Sequence, residues 1–158
     1  MLGVLVAAVL ALSPSSADAS CLATARAAVS TTKVVYPNLA SSTSRVKPSE
    51  LSTVICFDFT GDGRRDIAFS VFSGGTAGDI AWGILVGTGD VGMIVAITRS
   101  GYKLNLKRTG RNAVVTQPVY KADDPNCCPT AGFDHVAYRW SGKSFAVARR
   151  WHTKTFDP

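Results

Sequence analysis

Histidine is nearly absent from this chain: His135 and His152 are the only two among 158 residues. That leaves few candidates for the commonest general base. There is no G-x-S-x-G nucleophile elbow, no P-loop and no dinucleotide-binding glycine fingerprint. Gly74-Gly75 reads as a turn rather than a phosphate cradle. Asp134-His135 could be combined on paper with any of many serines, but His135 reads as the start of a strand and His152 as part of an exposed C-terminal tail. The expectation leans away from an enzyme.

Charge is also scarce, at 18% of residues, and acids are outnumbered: 11 against 17 Lys and Arg, for a net charge of +6. A chain rich instead in Gly, Ser, Thr, Val and Ala favours compact β structure over disorder or long solvated helices. The basic excess suits either a plain soluble surface or an encounter with anionic polymer, lipid or nucleic acid.

No apolar run is long enough to span a bilayer. The run Leu2 to Leu12 is followed by Ser13-Pro14 and Ala17-Asp18-Ala19, an apolar core, a helix-breaking boundary and an A-x-A cleavage site. Residues 1–19 are therefore read as a signal peptide, 20–50 as an N-terminal helix and linker segment, and 51–158 as a β domain. No Lys or Arg precedes the apolar run, so the positive charge comes from the amino terminus or the true start lies upstream. Cys21 raises lipid attachment, but Asp18 stands where a lipobox wants an aliphatic residue, so cleavage after Ala19 is expected instead.

The cysteines are four: Cys21, Cys56, Cys127 and Cys128. An even number in an exported chain implies two disulfides and no free thiol. A bond between adjacent cysteines closes a small strained ring, so Cys127 and Cys128 are each expected to pair elsewhere, one with Cys56 and the other with Cys21. Zinc is the competing use, but Cys-x-x-Cys spacing is absent.

The Ala-rich stretch Leu22 to Val29 predicts two helical turns, and the polar stretch 37–50, with two prolines, a loop or linker. From residue 52 the pattern is that of strands. Val54 to Phe59 is rich in β-formers, and Ile67, Phe69 and Val71 alternate with Ala68 and Ser70. Further strands are expected over Ile80 to Val86, Val91 to Thr98, Lys103 to Lys107 and Ala113 to Val119, the last at a sheet edge because of Pro118. Val136, Tyr138 and Trp140 share one face of a hairpin that turns at Ser141-Gly142-Lys143. The fold class is mostly β: seven or eight antiparallel strands as a meander, a sandwich or a curved sheet.

Asp58, Thr60, Asp62 and Asp66 place oxygen side chains at positions 1, 3, 5 and 9 of a tight loop, and the Arg64 carbonyl at position 7. Calcium takes six to eight oxygens, and Gly63 permits the sharp turn that brings alternate residues together. Position 12 is Phe69 rather than Glu, so this is not an EF-hand. Calcium is the cofactor expected here; the alternative is a plain turn with Asp66 paired to an arginine. The loop resembles the Asp-rich calcium loops of FG-GAP and VCBS-type repeats. Together with Ser73–Ile80, Asp124-Pro125-Asn126-Cys127-Cys128-Pro129-Thr130 and Tyr138-Arg139-Trp140-x-Gly142, it makes residues 51–158 resemble a group of secreted actinobacterial proteins. More distantly, the same strings are similar to the LppP/LprE lipoproteins of that lineage. That resemblance implies an extracytoplasmic site and no particular activity.

Arg99, Lys103, Lys107, Arg108 and Arg111 cluster in sequence around Tyr102, and alternation puts Lys103, Asn105 and Lys107 on one outer face. The group is a candidate surface for anionic cell-wall polymer; lysines protecting a solvated edge strand would look the same. The expectation is an exported, non-enzymatic binding or cell-envelope-associated module, with a secreted hydrolase or an inhibitor of one as the alternative.

Overall fold

The structure, a computed structural model, describes residues 16–36, 44–89 and 92–156. The apolar run and residues 37–43 lie outside them, as do Asp90 and Val91. Helix α1 (Ser16–Thr32) is followed by a 3-10 turn (Pro48–Glu50) and eight strands. These are β1 (Leu51–Phe57), β2 (Asp66–Phe72), β3 (Asp79–Gly87), β4 (Met93–Ser100), β5 (Asn105–Thr109), β6 (Asn112–Pro118), β7 (Phe133–Trp140) and β8 (Phe145–Thr153). They form two four-stranded antiparallel meanders, β1-β2-β3-β4 and β5-β6-β7-β8. The chain is mostly β, as its composition and alternation imply.

The first sheet is the middle layer. On one face Ile67, Phe69, Val71, Ala81 and Leu85 pack against Ala25, Ala28 and Val29 of α1 and against Val34 and Val46. On the other, Ala68, Trp82, Ile84 and Val86 meet Leu106, Ala113, Val115 and Phe145 of the second sheet. Covering both faces explains why β3 reads as an unbroken apolar run while a one-sided strand alternates.

Helix α1 is longer than the Ala-rich stretch. Ser30, Thr31 and Thr32 continue it, with the Thr31 and Thr32 hydroxyls turned back onto the Ala27 and Ala28 carbonyls. Lys33 then ends it at φ 53, in the left-handed cap position. The segment after it is not merely a linker: Val34 and Val46 are buried, and Val35 bridges Arg45.

Two strand expectations are corrected. Lys103 and Leu104 precede β5 as a bend whose N–H groups donate to the carbonyls of Ala77, in the turn before β3, and of Asp79, the first residue of β3, so the strand begins at Asn105. Strand β6 is internal, not an edge. Pro118 is tolerated because β5 pairs only as far as Thr116, leaving Pro118 opposite Phe133 alone.

Gly83 sits across from Phe69 at the centre of the first sheet. A Cβ there would lie 2.7 Å from Phe69 Cζ and 3.0 Å from the Ile97 carbonyl oxygen. Gly83→Ala is therefore expected to lower stability by about 1–3 kcal/mol through overpacking. Urea unfolding measures this; an unchanged midpoint would mean that the Phe69 ring has room to swing aside.

Candidate functional site

The 58–66 loop is closed by its own backbone. Asp58 Oδ1 accepts N–H bonds from Gly61 (2.5 Å) and Asp62 (3.1 Å), and Oδ2 accepts one from Gly63 (3.0 Å). Arg111 reaches from the β5–β6 turn to the same Oδ2 at 3.2 Å. Local desolvation pushes the Asp58 carboxyl up. The Gly61 and Gly63 amides, the Arg111 guanidinium and the Asp62 amide outweigh it and hold the group below the usual carboxylate range. Asp62 accepts the Arg64 N–H at 2.9 Å, and Arg64 returns to it as an ion pair at 3.6 Å.

Asp66 points the other way. It is fully buried and accepts N–H bonds from Thr60 at 2.9 Å and from Gly87 at 3.1 Å, tying the loop to the end of β3. The three carboxylates thus address three different sets of donors. Among the described residues no group of three or more His, Cys, Asp or Glu is placed to hold a metal. The arginine that meets the loop is Arg111, which bonds Asp58 rather than Asp66.

The cysteines pair differently from the expectation. Cys21 in α1 bonds Cys56 in β1, with Cα atoms 5.9 Å apart, because the helix lies on the first sheet. Cys127 and Cys128 bond each other, in a loop fixed to the second sheet and the bend before it. Tyr102 Oη donates to Asn126 Oδ1, and Lys103 Nζ and Tyr120 Oη both donate to the Asn126 carbonyl. None of the four cysteines is free.

The two histidines are placed differently. His135 is buried in β7 between two hydroxyls, with Nδ1 to Thr116 and Nε2 to Thr153 both at 2.8 Å. Thr153 Oγ1 donates to the Thr155 carbonyl, so it accepts from Nε2–H, and Thr116 donates to Nδ1. The Trp151 ring stacks on the imidazole at 4.9 Å. His152 is not in a tail: it lies in β8 opposite Asp134, with Nδ1 2.8 Å from Oδ1. Buried Ser70 shares Asp79 with Ser52, a hydroxyl–carboxylate group without an imidazole.

The five basic residues from Arg99 to Arg111 do not form one surface. Lys103 is spent on the 121–130 loop, Arg108 lies 4.1 Å over the Phe57 ring, and Arg111 holds Asp58. Lys107 is on the outer face of the second sheet, and Arg99 faces the gap between the sheets. The register brings together other cations instead. Lys107, Val114, Ala137 and Arg149 form one row across the outer face, and Arg139 joins that face from β7. The adjacent Arg149-Arg150 pair in a strand was the overlooked sequence signal.

Arg150 turns inward. With Arg99 it lines a cleft of about 230 Å³ between the sheets, over Trp82 and Tyr138 and beside Gln117 and Asp134. The chain matches no family model, no curated protein and no solved structure. Function therefore has to be read from these side chains.

Asp124 organises the 121–130 loop by accepting the Thr130 N–H and hydroxyl and the Lys121 N–H, and these bonds lower its pKa. A lowered folded value means that the bonds persist as pH falls through about 4, the ordinary aspartate range, and fail only below it. Exchange protection of the Thr130 amide is expected to follow that course and to be weakened at neutral pH in Asp124→Ala. Loss of protection centred on the ordinary aspartate value would refute it.

Proposed function

We propose that this chain is an exported, non-enzymatic module that binds anionic cell-envelope polymer through its second sheet. The observation that carries this reading is the placement of Lys107, Arg139 and Arg149 on one open face, with Lys143 in the adjoining turn. Arg139, Lys143 and Arg149 form no ion pair among the described residues. Asp134 is the single acid in the four strands of that sheet. Cations spaced along extended strands suit a repeating anion better than a single buried charge. The apolar leader and the fully paired cysteines support export into an oxidising compartment.

The test is retention on immobilised polyglutamate and dextran sulfate. Retention is expected at low salt and to fall steeply as ionic strength approaches 1 M, where screening acts within about 3 Å. Lys107→Gln, Arg139→Gln and Arg149→Gln combined should abolish it, while Lys33→Gln, Lys47→Gln and Arg45→Gln combined should not. Equal effects from both sets would reduce the face to general solubility.

Calcium is a second reading, of the 58–66 loop, and Gly63 favours it. Its φ of 82° makes the sharp turn required at the sixth position of a calcium loop. Asp58, Thr60, Asp62, Asp66 and the Arg64 carbonyl would supply the oxygens. Calcium would then compete with Arg111 for Asp58. Millimolar calcium is expected to raise the melting midpoint, and by more in Arg111→Gln than in wild type. Melts against chelator decide it: no shift in either protein leaves the loop closed by its amides alone.

A further inference from the structure

The cleft between the sheets has a different chemistry from the open basic face. Arg99 comes from β4 at the edge of the first sheet, where it neighbours Trp82 across the β3–β4 ladder. Arg150 comes from β8 at the edge of the second, opposite Val136. Two guanidinium groups therefore line one opening from two separate sheets. Arg150 makes no hydrogen bond or ion pair among the described residues, and Arg99 makes only a bond to the Thr98 carbonyl. The interior is aromatic, with the Trp82 and Tyr138 rings 4.7 Å apart.

One acid completes the wall. Asp134 Oδ1 is held by His152, and Oδ2 has no partner among the described residues. Gln117 lies directly opposite it in the β6–β7 ladder, two register positions from the Val115–Val136 row. Two arginines and one aspartate leave a single excess positive charge, which matches a monoanion. The free carboxylate oxygen would repel a dianion and would accept a bond from a hydroxyl or ammonium on the ligand. A cleft of about 230 Å³ is smaller than the roughly 300–1,000 Å³ that takes a drug-sized molecule. It has room for one sugar-sized or amino-acid-sized group.

We propose that the inter-sheet cleft is a binding site for a single carboxylate-bearing unit that also carries a hydrogen-bond donor. Arg99 and Arg150 take the carboxylate, and Asp134 and Gln117 take the donor. The proposal rests on reading the chain as a polyanion-binding module and makes the cleft the place where one unit is recognised. An acidic sugar and an acidic amino acid share this chemistry.

The experiment is an NMR titration of the whole protein with glucuronate and with glutamate, following the backbone amides of Trp82, Tyr138 and Arg150. At least one of the two is expected to give saturable shifts, and the tighter identifies the source. Glucose and sulfate, one lacking the anion and the other lacking the donor and carrying a second negative charge, should give none. Arg99→Gln and Arg150→Gln should each weaken binding by about tenfold or more, the effect of losing a charged hydrogen bond. Lys47→Gln, an exposed cation outside both sheets, should leave it unchanged. All three substitutions are at exposed side chains, so the fold is spared. The proposal falls if neither carboxylate saturates up to about 50 mM, well beyond millimolar affinity. It also falls if Lys47→Gln weakens binding as much as Arg150→Gln. Retention on polyglutamate without binding of either unit sinks the cleft alone, while binding of a unit without retention sinks the polymer reading alone.

Discussion

Strands β2 and β3 must bury both faces, and the architecture is arranged around that demand. Six of the seven residues of β2 are buried. A four-stranded meander can cover neither of its own faces, so one needs a helix and the other a second sheet. Helix α1 meets the first need through small residues, Ala25 and Ala28, which let it approach closely. The Cys21–Cys56 bond then fixes the helix to β1 and removes chain entropy from the unfolded state across a separation of 35 residues. The second meander meets the other need through Leu106, Ala113 and Val115.

Asp66 belongs to the same logic. A carboxylate at the buried start of β2 costs free energy unless its oxygens are satisfied. The Thr60 and Gly87 amides satisfy them, and in doing so they set the path of the 58–66 loop and its distance from the end of β3. Asp58 repeats the device at the surface, with three amides and a guanidinium. Both acids are therefore structural before any ligand is considered. The same amide-accepting chemistry holds the Cys127–Cys128 loop at Asp124.

Local periodicity made the strands legible. Ile67-Ala68-Phe69-Ser70-Val71 and the Tyr138–Trp140 hairpin need only neighbours in sequence to be recognised. What was illegible depends on contacts distant in the chain. Pro118 suggested an edge, but β5 is shorter than β6 and stops before reaching it. The Cys127–Cys128 ring looked unfavourable in isolation, yet Cys21 and Cys56 are brought together by helix packing, which no spacing rule records. The loop oxygens were correctly placed in sequence, but not the amides and Arg111 that compete for them.

The basic residues show why a cluster in sequence is a poor guide to a surface. In a strand, successive side chains face opposite ways. Arg149 and Arg150 are adjacent, yet one stands on the open face with Lys107 and the other lines the cleft with Arg99. Lys107 and Arg108 divide in the same manner, Arg108 turning in to cover the Phe57 ring. Residues 42 positions apart in the chain, such as Lys107 and Arg149, become partners through three steps of antiparallel register. Because the second sheet gives one face to the first, its own cations are sorted by face: Lys107 and Arg149 stand outward, while Arg150 turns toward Arg99 of the first sheet at the mouth of the cleft. Both arrays are reached from solvent, but the row is spread along a sheet face, whereas the pair converges from two sheets on one opening.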